Sequence, residues 1–139
     1  MNIHATCIDY KNYGILIMGA SGSGKSDLGL RLIMDKGAEL VADDYVTIKE
    51  YNGKIIAECP KNIEGIMEVR GLGLCNFIPK AQTTITLVID LCSQDKIDRM
   101  PEDEYYDLCG VKLPKIKIYP HEASSTNKVI LACNKLSNS

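Results

Sequence analysis

Eight consecutive residues, Gly19-Ala20-Ser21-Gly22-Ser23-Gly24-Lys25-Ser26, have the composition and spacing to hold phosphate groups. Glycines at 19, 22 and 24 let backbone N–H groups close around phosphate oxygens, and a helix opening near Lys25 would aim its positive dipole end at them. Lys25 then reaches the outer phosphates as a point charge, and the Ser26 hydroxyl stands where a Mg²⁺ ligand is needed. The plain alternative is a glycine-rich turn that caps a helix. Context favours the phosphate loop, because the apolar run 14–18 precedes it and the amphipathic segment 27–36 follows, giving strand, loop and helix in that order.

Two further sets of residues could do chemistry. Asp43-Asp44 close the apolar run Leu40-Val41-Ala42, and ligands of open α/β sheets sit at the carboxyl ends of strands, so metal or nucleophile handling is expected there. Successive strand residues point to opposite sides, which gives the two carboxylates different roles. Without the upstream loop, a solvated turn would be the better reading of the pair. Glu68 and Arg70 lie two apart and would share one face of a strand, with Gly71 and Gly73 permitting close backbone approach. The ordinary alternative is a surface ion pair worth about 0–1 kcal/mol. His4 and Arg99 carry no signal from spacing alone.

The elements that must position these groups are legible from period and punctuation. Residues 3–9 alternate as a strand, Asn12-Tyr13-Gly14 turns the chain, and 15–18 form a second strand. Leu28, Leu30, Leu32 and Ile33 give the helix after the loop its apolar side; Gly37 ends it and Lys36 complements its negative end. Gly29 inside that helix costs about 1 kcal/mol relative to Ala, which points to close packing. Residues 45–59 read as a hairpin around Asn52-Gly53, so the sheet is mixed. Residues 83–91, rich in β-branched side chains, form the clearest strand. Glu102-Asp103-Glu104 after Pro101 fits the solvated first turn of a helix running to Leu108, residues 111–119 form a strand that Pro114 demotes toward an edge, and 129–133 dock as a last helix or strand.

Composition narrows the class. A chain of 139 residues with 45% hydrophobic content is expected to form one domain, residues 1–139, with a sizeable core. A net charge of −2, with no basic patch or aromatic stripe, argues against nucleic acid and general membrane attraction. The N-terminus carries no charged-then-apolar leader and no run reaches membrane-spanning length, so a cytoplasmic location is expected. The six cysteines are dispersed with no CxxC spacing and only two His accompany them. They read as free thiols, mostly buried, with no zinc site.

Taken together, His4 ahead of the loop, GASGSGKS at 19–26, LVADD at 40–44 and EVRGLGLCNF at 68–77 resemble the catalytic domain of HPr kinase/phosphorylase. The Glu68-Val69-Arg70-Gly71-Leu72-Gly73 string is the most distinctive part. The likeness continues through Asp98-Arg99, Glu104-Tyr105-Tyr106-Asp107 and Gly110 to Lys115. The resemblance implies an α/β P-loop domain with a mixed central sheet, related to phosphoenolpyruvate carboxykinase. It also implies an ATP- and Mg²⁺-dependent kinase acting on a serine of an HPr-like phosphocarrier protein, in a homo-oligomer that is a hexamer in the family. Under it, Asp44 accepts the serine proton and returns one in the reverse reaction with phosphate. Lys25 and the amides of Gly19 to Ser26 hold the nucleotide, Ser26 and Glu68 hold Mg²⁺, and His4, Asp43, Arg70 and Arg99 complete the active site.

The chain departs from the family pattern in four places. It begins three residues before His4, as expected for the short, alphaproteobacterial-type versions without the N-terminal domain. One extra residue separates Ser26 from Asp43-Asp44. Residues 119–127 replace the glycine- and arginine-containing loop that longer members use in dephosphorylation, and the C-terminal helix that contacts the carrier is shortened. These departures leave the kinase centre intact and detach the reverse reaction from the expectation. Two alternatives stay open on sequence: a non-catalytic ATP-sensing module, and a kinase of a small-molecule hydroxyl.

Overall fold

The apolar run at 13–18 is buried on both faces, and the rest of the fold is arranged to cover it. The computed structural model describes residues 1–138. Strand β1 (Asn2–His4) is followed by β2 (Thr6–Tyr10), β3 (Tyr13–Met18), helix α1 (Lys25–Lys36), β4 (Glu39–Ala42), β5 (Tyr45–Tyr51) and β6 (Lys54–Glu58). Then come β7 (Ile66–Val69), β8 (Gly73–Asn76), β9 (Gln82–Leu91), β10 (Glu104–Leu108), β11 (Val111–Ile118) and α2 (Ser125–Ser137).

Nine strands form one mixed sheet in the order β1-β5-β6-β9-β3-β2-β4, with β11 added parallel to β9 and β10 paired to β11. Strands β3 and β9 run parallel at its centre, while β7 and β8 form a separate hairpin. The sheet curls because the connections β1→β2 and β4→β5 run side by side: β1 pairs with β5, β2 pairs with β4, and the Ala5 N–H donates to the Asp44 carbonyl between them at 3.1 Å. A register shift at Cys7/Ile8 bends β2 at that corner.

The two-residue period of β3 divides the core. Leu16 faces inward with Cys7, Val41, Val46, Ile55 and Val88, while Ile15 and Ile17 face the helices, against Leu28 and Leu32 of α1 and Val129 and Cys133 of α2. Gly29 is required by the helix packing: a Cβ there would stand 2.9 Å from Thr6 Cγ2. None of the described helices is long and apolar enough to cross a membrane.

Several expectations are corrected. Residues 102–108 contain no helix; Glu104–Leu108 is a strand, paired with β11 through a turn at Cys109-Gly110 whose φ values are 52° and 79°. The acidic run precedes an alternating Tyr-Tyr-Asp-Leu stretch that buries Leu108, and strand pairing prevails over the helix-start signal. Strand β11 is interior, not an edge, between β10 and β9. It tolerates Pro114 because the β9 ladder begins at Lys115, and the Tyr105–Pro114 pair alternates to a non-hydrogen-bonded position counting from the turn. The strand at 3–9 breaks at Ala5. Arg70 lies in the turn after β7, so it does not share a strand face with Glu68, and Gly71 and Gly73 meet no neighbouring backbone but hold φ of 92° and 90°. Cys7 and Cys133 are fully buried and Cys109 is exposed at its turn.

Candidate active site

Strand β3 ends at Met18 and the chain turns into α1 through the glycine-rich loop, with left-handed backbone at Gly22 and Gly24, φ 79° and 101°. Only glycine takes that conformation without strain, and it turns successive N–H groups toward one concavity at the positive end of α1. The Ser23 N–H closes the loop on the Ala20 carbonyl at 3.0 Å. Lys25 opens the helix almost fully buried, and its ammonium donates to the carbonyls of Gly19 and Ala20, each at 3.0 Å. The segment after β11 packs beside this loop: a Cβ at Gly24 would lie 3.6 Å from Pro120 and 3.7 Å from His121.

The corner between β4 and β5 supplies the second wall and separates the two aspartates; both lie beyond the end of β4, so the turn at Asp44, not strand alternation, sends them to different sides. Asp43 is buried behind the loop, where its Oδ1 accepts from Thr6 Oγ1 at 2.7 Å and from Ser26 Oγ at 2.8 Å, the latter hydroxyl also lying 3.0 Å from Oδ2. Asp44 points outward at φ 74°, with the Tyr45 N–H bonded back to the Asp43 carbonyl at 2.9 Å. That three-residue γ-turn with positive φ at a non-glycine centre is strained backbone, which persists where surrounding contacts hold it. His4 Nε2 lies 3.0 Å from Asp44 Oδ1. A carboxylate can only accept, so this nitrogen carries the proton. The Tyr45 ring rests against the imidazole with centroids 5.5 Å apart.

The β7–β8 hairpin provides the third wall. Glu68 and Arg70 line one cleft of about 760 Å³ with His4, Lys25, Ser26 and Asp44. Asp43 stands behind Ser26 and does not line the cleft. Arg99 lies in the connection between β9 and β10 and is not among the lining residues. Sequence reasoning missed Thr6, which lines the cleft two residues after His4 and holds Asp43.

The donors suit a nucleotide with a hard cation. Among the described residues no three His, Cys, Asp or Glu side chains converge into a metal cage. The cleft instead offers scattered oxygens, among them the Ser26 hydroxyl, backed by a buried carboxylate, and the Glu68 carboxylate on the hairpin wall. Mg²⁺ is held in this way, by one or two protein oxygens with water and phosphate completing its shell.

Comparison with known proteins agrees with this chemistry. The family described as "HPr Serine kinase C-terminal domain" matches residues 1–135. The chain is 34% identical to the HPr kinase/phosphorylase of Lactobacillus acidophilus, over 84% of this chain and 40% of that protein. It is 35% identical to the one from Malacoplasma penetrans, over 96% of this chain and 49% of that protein. It thus spans less than half the length of these curated relatives. The solved structure of the Hpr(Ser) kinase/phosphatase from Coxiella burnetii superposes with a TM-score of 0.85 at 26% identity, covering 99% of this chain and 97% of that one.

Proposed function

From the membership of this chain in the HPr serine kinase C-terminal domain family, we propose that residues 1–139 form one catalytic domain, a cytoplasmic P-loop kinase related to phosphoenolpyruvate carboxykinase. It transfers the γ-phosphoryl group of ATP to a serine on an HPr-like phosphocarrier protein. The observation that carries this reading is the pairing, in one cleft, of a phosphate cradle with an outward carboxylate oriented by His4.

Phosphoryl transfer needs positioning and charge neutralisation more than covalent help. The amides of Gly19 to Ser26 and the Lys25 ammonium bind the nucleotide phosphates, Lys25 exchanging its loop carbonyls for phosphate oxygens. As the acceptor serine oxygen bonds to the γ-phosphorus and the bond to ADP breaks, Asp44 takes the serine proton. His4 holds Asp44 Oδ1 in place for that role. A Mg²⁺ ion held by Ser26 and Glu68 would neutralise charge on the phosphate oxygens. Arg70 adds positive charge from the hairpin wall, and Arg99 enters through the family resemblance rather than through its position.

The test is incubation with γ-labelled ATP, Mg²⁺ and an HPr-type carrier, followed by phosphosite mapping. Label on one carrier serine supports the reading. Tight ATP binding without transfer would favour a sensing module instead, and transfer to metabolites alone would favour a small-molecule kinase.

A further inference from the structure

We propose that Thr6 is a positioning residue for this site: its hydroxyl fixes the Asp43 carboxylate, and through it turns the Ser26 oxygen toward the cleft. The inference rests on the kinase reading above and assigns a role to a residue for which that reading has none.

Ser26 Oγ carries one proton. Shared between Asp43 Oδ1 and Oδ2 at 2.8 and 3.0 Å, that proton points away from the cleft and leaves the oxygen lone pairs facing it. A hydroxyl in this state can only accept or ligate, which is what a hard cation requires. Nothing in Ser26 itself selects the state, since a serine hydroxyl rotates to suit its surroundings. The selection comes from Asp43, and Asp43 is aimed by Thr6, whose Oγ1 donates to Oδ1 at 2.7 Å from the opposite strand.

Thr6 is itself fixed by burial, at 1% exposure, and by the position of its methyl group. Thr6 Cγ2 occupies the space a Cβ at Gly29 would need, so the same side chain that aims Asp43 also sets how deeply α1, with Ser26 on its first turn, seats against β2. The bend of β2 at Cys7/Ile8 begins one residue beyond it. The hydroxyl and the methyl therefore do separable work. Thr6→Val keeps the branched shape and removes the donor; Thr6→Ser keeps the donor and removes the methyl.

Calorimetry with a non-hydrolysable ATP analogue, in Mg²⁺ and in EDTA, separates a positioning role from a structural one. In Thr6→Val the affinity gained from Mg²⁺ falls about tenfold or more, while affinity in EDTA stays within about twofold of the unaltered protein. Thr6→Ser restores the Mg²⁺ gain despite a lower melting temperature. Equal losses in Mg²⁺ and EDTA would mean Thr6 only supports the fold, and an unchanged Mg²⁺ gain in Thr6→Val would leave Ser26 oriented without it; either overturns the proposal. If the unaltered protein binds the analogue and phosphorylates the carrier, such a result counts against Thr6 alone. If it binds no analogue, the kinase reading fails and this inference fails with it.

Discussion

Strand β2 carries a buried carboxylate system at each end, and the two are built differently. At one end Asp9, 2% exposed, accepts from Thr83 Oγ1 at 2.6 Å and from the Asn12 N–H at 2.9 Å, and pairs with the Lys80 ammonium at 3.2 Å. Its charge is cancelled and its lone pairs are used. At the other end Asp43, 6% exposed, receives two hydroxyls, both from residues that line the cleft, and no ion-pair partner among the described residues. A buried charge left short of a counter-ion is costly, and proteins keep such groups where something else completes them. The closed end stabilises the turn between β2 and β3. The open end suits the cation that the proposed kinase reading brings in with the nucleotide.

Substitutions at the two ends should therefore fail in different ways. The largest effect is expected at the outward carboxylate beside the open end: Asp44→Asn removes the proposed proton acceptor and should lower turnover by roughly 10²–10⁴. Because Asp44 is exposed, its melting temperature should hardly move. A large stability loss in that variant would erase the distinction between the ends. At the closed end, Asp9→Asn should cost about 2–3 kcal/mol in urea unfolding while turnover per folded molecule is retained.

Gly29→Ala probes the link between fold and site. The added Cβ would meet Thr6 Cγ2 at 2.9 Å, and accommodating it should cost about 1–3 kcal/mol and weaken nucleotide binding together. Stability lost with nucleotide affinity intact would show that the seating of α1 does not govern the loop. The smallest effect is a readout of charge. Burial, then the carboxylates of Glu64 and Asp43, push the Cys59 thiol up to about 11 from an ordinary 9.0. Removing the Asp43 charge lowers that value and raises the thiolate fraction at pH 8.5, so Asp43→Asn should speed Cys59 alkylation modestly. Asp9→Asn should leave Cys59 unchanged, since Asp9 is not among the charges acting on it.

The elements around the open end were readable before the fold was known, and the reasons are local. Strand, loop and helix around 19–26 follow from neighbours in sequence, as does the hairpin at Asn52-Gly53, where both residues take positive φ. The expectation that Asp43 and Asp44 part company holds for a different reason than strand alternation, since both lie past β4 and the turn at Asp44 divides them. What was not readable depends on distance. Thr6 and Asp43 lie 37 residues apart and meet only because the sheet curls at the β1–β2 and β4–β5 corner. Strand β10 was hidden for a related reason: its acidic lead-in resembles a helix start, and its turn uses Cys109 at φ 52°, where an Asn or Gly would have announced a hairpin.

Under the proposed function, Asp44 takes the serine proton in the cleft while the closed end of β2 only supports the fold. Phosphoserine formation on an HPr-type carrier, followed by mass spectrometry with the unaltered protein, Asp9→Asn and Asp44→Asn side by side, is the decisive assay. The prediction is one phosphorylated serine with the first two proteins, in proportion to their folded fractions, and essentially none with Asp44→Asn. Equal phosphorylation by Asp44→Asn, or none by the unaltered protein with Mg²⁺ and ATP present, would contradict it.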